Sequence, residues 1–169
     1  MSDVKGTVSD SLSIWAGSSP CVETPTVEYF GKIYNTVQIG DQCWFKENLD
    51  VGTMIISDSN HTGFQQTDNN VIEKYCYGND EANCNAYGGL YEWTEAMQYV
   101  TTEGTQGICP SGWHIPTITE MGVLVTLGDQ ATKLIDANAK SGYSYTNETG
   151  FSALFAGSRY AAVLGASTI

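Results

Sequence analysis

Between residues 26 and 45 polar and apolar side chains alternate in short runs, the pattern of strands that bury one face. Three strands are predicted, over Thr26–Tyr29, Lys32–Ile39 and Gln42–Phe45. The Phe30-Gly31-Lys32 corner makes the first two a hairpin, and Gly40-Asp41 supplies a tight turn before the third. Further on the spacing becomes helical: Leu90, Trp93, Met97 and Val100 predict a helix over residues 91–100, with Trp93 and Met97 in the core. At Pro116-Thr117 a second helix opens, and Glu120 stands where a capping box needs it. Ile118, Met121, Leu124 and Val125 supply its apolar face, weakened by Gly122 and the neighbouring valines. Residues 130–139, carrying Leu134 and Ile135 and closed by Gly142, predict a further helix, and residues 150–155 a buried strand. Residues 51–70 are polar and read as surface loop. Residues 1–25 read as an irregular lead-in whose apolar patch of Leu12, Ile14 and Trp15 is a tucked strand or a subunit contact. The pattern is that of one α+β domain over residues 26–169, with two main helices, short antiparallel strands and many turns.

Composition narrows the partners. Seven basic against nineteen acidic residues in a chain of 169 give a formal net charge of −12, which repels phosphate backbones and anionic headgroups. Nucleic acid is excluded as an expected partner. So is membrane insertion, for no window of eighteen apolar residues occurs, and the first residues lack the apolar core of a signal peptide. The five cysteines show no Cys-x-x-Cys spacing, which argues for disulfides over zinc. Cys76 and Cys84 flank a turn-rich, polar stretch short enough to be closed by a bridge. Disulfides imply an oxidising compartment, so either the chain is a piece of an exported protein or its thiols stay reduced.

Catalytic chemistry has little to stand on. His61 and His114 lie in unlike contexts, the first in a polar loop and the second between bulky apolar residues as a hydrogen-bonded structural histidine. Glu92 and Glu95 imitate an acid/base couple, but acidic residues on the solvent face of a helix are the ordinary case. Phosphate loops, nucleophile elbows and His-Glu-x-x-His are all missing. Asn79-Asp80-Glu81 and Asp68-Asn69-Asn70 offer oxygen ligands of the kind calcium takes, yet such residues more often form turns. No metal or other cofactor is expected.

Three stretches carry a resemblance: 34–49 (Tyr-Asn-Thr-Val-Gln-Ile-Gly-Asp-Gln-Cys-Trp-Phe-Lys-Glu-Asn-Leu), 87–93 (Tyr-Gly-Gly-Leu-Tyr-Glu-Trp) and 109–117 (Cys-Pro-Ser-Gly-Trp-His-Ile-Pro-Thr). Together they resemble the Fibrobacter succinogenes major paralogous domain family, within the wider set of C-type-lectin-like folds. That likeness implies a lectin-like fold, a Cys21–Cys43 bridge beside Cys76–Cys84, and a Cys109 left over, whose family partner would lie near a more distant C-terminus. The likeness further implies a domain C-terminally shortened relative to the family, with Met121 where a tryptophan is usual. Its members are largely surface and secreted proteins, which implies a non-enzymatic module, extracellular or at the cell surface, that binds a protein or glycan and is compatible with an oligomer.

Ligand contacts are expected from Ser158, Arg159, Tyr160, Ala161, Ala162, Val163 and Leu164, with Tyr143 and Tyr145 in the neighbouring loop. An alternative is a variable receptor protein of a diversity-generating retroelement. Randomising the adenines of an asparagine codon cannot yield Lys, Glu, Gln, Met or Trp, and residues 158–169 contain none of them. A third reading, a cysteine-dependent oxidoreductase akin to the sulfatase-modifying enzymes, needs a thiol activated by a neighbouring cation, which no cysteine here has in sequence.

Overall fold

A computed structural model describes residues 19–57, 65–128, 131–139 and 143–159. The three predicted strands form as read: β1 (Thr26–Tyr29), β2 (Lys32–Ile39) and β3 (Gln42–Phe45) make an antiparallel sheet in the order β1-β2-β3. Both hairpin corners follow from local chemistry. Phe30 and Gly31 take φ of 51° and 72°, the pair of left-handed conformations that a two-residue hairpin turn requires. Tyr29 opposes Lys32 and Ile39 opposes Gln42, so the alternation turns Val37, Ile39 and Trp44 to one face. There they pack with Leu124, Leu134 and Phe151 as a core cluster.

The stretch 51–70 is not all loop. Thr53–Met54 (β4) pairs in parallel with Glu73–Lys74 (β5). Behind this pair Lys74 is buried and ion-paired to the equally buried Asp50, an internal brace that no local periodicity announces. Tyr34 and Tyr91 hydroxyls hold the backbone of Asp50 and Val51 in place.

Residues between the Cys76 and Cys84 partners are also more regular than a loop. After a tight turn over Tyr77–Asn79, α1 (Glu81–Tyr87) begins where the Asp80 side chain accepts the Ala82 N–H at 2.9 Å. Both bridges are formed, Cys21–Cys43 and Cys76–Cys84, and Cys109 is a buried free thiol.

The expected helix over 91–100 shrinks to α2 (Trp93–Ala96). Gln98 and Tyr99 both adopt left-handed backbone conformations, because their side chains fold back to hydrogen-bond Glu95 instead of continuing the turn. Met97 is buried, but Trp93 is 67% exposed and does not belong to the core. Glu92 and Glu95, expected in solvent, are buried. Met97 thus turns inward as the spacing predicts, while Trp93 gives way to Glu92 and Glu95, whose oxygens meet hydrogen-bond donors inside.

Thr117 and Glu120 form the capping box that opens α3 (Ile118–Gly128): Glu120 accepts the Thr117 N–H at 2.8 Å and its own N–H donates to Thr117 Oγ1. Of the predicted apolar face only Leu124 is buried; Ile118, Met121 and Val125 point outward. The 130–139 helix is a single turn, α4 (Ala131–Leu134). Likewise 150–155 is no strand. Ser152 is left-handed, its N–H and hydroxyl bonded to Asn147, and only Ala153 bridges to Ile135. Phe151 still packs edge-on against Trp44.

The tryptophans therefore divide. Trp44 lies in the core, Trp113 is half-buried and stacked on Phe45 at 4.0 Å, and Trp93 faces solvent. Trp44→Ala should cost about 3 to 5 kcal/mol through cavity formation. Trp93→Ala should stay within about 0.5 kcal/mol. Urea unfolding of the two variants checks the contrast, and equal losses would refute the assignment.

His114 is half-exposed and lies 3.0 Å from the Glu120 carboxylate. The Thr117 N–H, foremost, and His114 hold the Glu120 carboxyl below its usual range. A depressed folded-state value contributes stability that is present above the unfolded carboxyl value and is lost as pH falls through the folded one. Glu120→Ala should thus cost at most about 1 kcal/mol near neutrality, because the carboxylate is partly exposed, and progressively less below about pH 4. Thermal melts of both proteins across that range measure it.

Candidate functional site

The only arginine of the chain, Arg159, organises the one region where chemistry-bearing side chains from distant segments converge among the described residues. Its guanidinium carbon lies 4.2 Å from the centroid of the Tyr75 ring. Nε donates to Ser57 Oγ at 3.0 Å and Nη2 to Gln65 Oε1 at 3.3 Å, while Nη1 is 3.6 Å from Glu92 Oε1. Both charged side chains are nine-tenths buried, so the pair works in a desolvated setting. The planar fork suits this place, since stacking and in-plane donation are used at once.

Glu92 stands at the head of α2. Its Oε1 accepts from Tyr75 Oη at 2.7 Å and from the Gln65 N–H at 3.0 Å, and its own N–H donates to Gln66 Oε1 at 2.6 Å. Oε2 is buried and has no partner among the described residues. Burial, then the hydrogen bond to Glu92, pushes the Tyr75 hydroxyl well above the usual tyrosine range, so it stays a neutral donor. Three residues on, Glu95 is completely buried, with no cation against it among the described residues. Its oxygens accept from the Glu73 N–H at 3.0 Å, Gln98 Nε2 at 3.2 Å and Tyr99 Oη at 2.8 Å. Two glutamates one helical turn apart therefore clamp the 65–73 segment from within. Neither is placed as an acid/base couple facing solvent.

A cleft opens beside Arg159. One hollow of about 300 Å³ is lined by Tyr75, Leu90, Glu92 and Gly157 among others, and an adjoining one of about 410 Å³ by Ser57, Tyr77 and Asn79. Ser158 and Arg159 border both. Ser158 is exposed, whereas Arg159, expected as a ligand contact, is committed to the protein interior. Tyr143 is 79% exposed, and Tyr145 packs on Phe155 with centroids 5.8 Å apart; neither lines the cleft. Tyr160, Ala161, Ala162, Val163 and Leu164, like His61, lie outside the described residues. Sequence reasoning missed Tyr75, Tyr77 and Leu90. The one signal for them was a lone arginine with no acidic neighbour in sequence.

Burial pushes the Cys109 thiol up to about 11, away from the range of a reactive thiolate. Among the described residues no cluster of three His, Cys, Asp or Glu side chains is placed to hold a metal, and no helix is long and apolar enough to cross a membrane. The residues 79–81 are used locally, Asn79 bonding Ser57 and Asp80 capping α1.

An α+β domain stapled by two disulfides, with a cleft bordered by the end of its last described segment, is thus defined by fold and site. The Fibrobacter succinogenes major domain matches residues 37–164, most of the chain, and the protein belongs to that family. No curated protein and no solved structure matches it.

Proposed function

We propose that this domain is a non-enzymatic binding module, lectin-like in fold and exported or displayed at the cell surface, whose ligand is a protein or a glycan. Its contacts come from the cleft and from the segment that leaves it, Ser158 onward. The observation that carries the reading is the Arg159 clamp: a buried charge pair is spent on fastening residue 159 to Tyr75 and Glu92, so the chain that follows starts from a rigid rim beside an open cleft. Two disulfides accord with an oxidising compartment and support the extracellular placement. The high thiol value of Cys109 weighs against cysteine-dependent oxidoreductase chemistry.

Replacing residues 160–164 together with Ser and Gly tests this. A contact segment on a tolerant scaffold leaves the melting temperature and circular dichroism unchanged. Loss of folding would make the segment core and overturn the reading.

A further inference from the structure

Helix α3 has less packing than its length calls for. A stretch of 11 residues is marginal as a helix in water by itself, and Gly122 with the valines on either side of Leu124 lowers its propensity further. The capping box fixes where it starts, yet Leu124 is its one buried residue among those described. The rest of its apolar surface faces out. Ile118, Met121, Gly122 and Val125 share a face at helical spacing; Ile118 is 80% and Val125 60% exposed, and a Cβ at Gly122 would meet nothing within 4 Å. Residues 121–128 carry no charge, the Glu120 carboxylate is turned back to the Thr117 N–H, and the Thr126 hydroxyl donates to the Gly122 carbonyl at 2.8 Å. An apolar face of this kind calls for cover.

The chain has a segment of matching length and chemistry. The apolar patch of Leu12, Ile14 and Trp15 lies outside the described residues, but the point it departs from is fixed. The Cys21 N–H donates to Thr36 Oγ1 at 3.1 Å and the Gln38 N–H to the Ser19 carbonyl at 3.0 Å, with the Cys21–Cys43 bridge beside them. Traced back from Cys21 to Ser19, the chain therefore runs along β2 toward Ile39 and away from Phe30 and Ile33, which are exposed at the opposite end. Val37 and Ile39, on either side of Gln38, belong to the cluster in which Leu124 packs. Four residues back from Ser19, Trp15 reaches at most about 14 Å, and seven back, Leu12 reaches about 25 Å. The outer face of a helix stands one diameter, about 10 to 12 Å, beyond the layer it packs on, a distance within reach of both. Charge agrees: residues 11–22 carry none, so they meet residues 121–128 without bringing acids together, whereas a second copy would bring up another chain of net charge −12.

We propose that Leu12, Ile14 and Trp15 dock on the outer face of α3, over Ile118, Met121 and Val125, with the Trp15 ring at the gap left by Gly122. The lead-in is then a strap that completes the packing of α3 and belongs to the folded domain.

The test is nuclear Overhauser spectroscopy on the whole chain, ¹³C-labelled at the Ile, Met and Val methyls, with Trp15 assigned by its loss in Trp15→Phe. The expected result is a set of cross-peaks from the Trp15 ring to the Met121 and Val125 methyls, whose ring-current shifts vanish in Trp15→Ala. That variant should also melt about 2 to 6 °C lower, while Val22→Ala, at a 93% exposed side chain, should melt as the wild type does. Val125→Asp, which leaves Leu124 in place, should release the strap and remove the Trp15 cross-peaks to Met121. Methyl shifts of α3 that are the same in wild type and Trp15→Ala, or Trp15 cross-peaks that go to Ile33 or Phe30 instead, overturn the proposal. So do cross-peaks between α3 methyls of differently labelled chains in a mixed sample, which would give the face to a second copy.

Discussion

Arg159→Ala is expected to lower the unfolding free energy by about 3 kcal/mol, although the residue is the last described position of the chain. The loss comes from what is left behind. Glu92, 6% exposed at its side chain, would keep its charge in a desolvated place without the guanidinium 3.6 Å away, and Tyr75 would lose the cation over its ring. Arg159→Lys should recover only part, because an ammonium cannot stack on Tyr75 while also bonding Ser57 and Gln65 in one plane. Urea denaturation of wild type, R159A, R159K and the double variant R159A/E92Q measures this. If removing the glutamate charge in the double variant restores nothing, the pair is not what Arg159 supplies.

Glu95→Ala should be at least as damaging, about 3 to 4 kcal/mol, since it creates a cavity and strands the Glu73 N–H and the Tyr99 hydroxyl at once, leaving Gln98 Nε2 only its bond to the backbone carbonyl of residue 95. Tyr99 would also lose the side-chain bond that accompanies its left-handed conformation. Burial and the Glu95 carboxylate keep the Tyr99 hydroxyl raised above its ordinary value, so the variant should also show an earlier tyrosine titration in alkaline difference spectra. A normal melting temperature for E95A would show that these bonds are replaced by water and that the carboxylate is dispensable.

Legibility along the chain followed the range of the interactions involved. The three strands of the β1-β2-β3 sheet and both of its turns were readable because alternation and turn residues act within a few positions. The capping box of α3 was readable for the same reason, Thr117 and Glu120 being three residues apart. The inward face of α3 was not. Apolar residues surround that helix, and which of them turned inward depended on the position of Val37, Ile39 and Trp44 on the sheet beneath Leu124.

The same limit governs the site. Spacing alone made Glu92 and Glu95 look like a solvated helix face, because side-chain acceptors are ordinarily exposed. Their burial answers needs that arise elsewhere: backbone N–H groups at Gln65 and Glu73, a hydroxyl at Tyr75 and a guanidinium at Arg159. Sequence by itself determined the acidic charge, the sheet, the start of α3, the Cys76–Cys84 bridge and, through family resemblance, the Cys21–Cys43 bridge. Only the tertiary structure decided which acids lie inside, that Trp93 lies outside, and that Arg159 is an anchor beside a cleft. Those outcomes rest on partners 17 to 102 residues apart, where no local pattern reports the cost of an unpaired buried group.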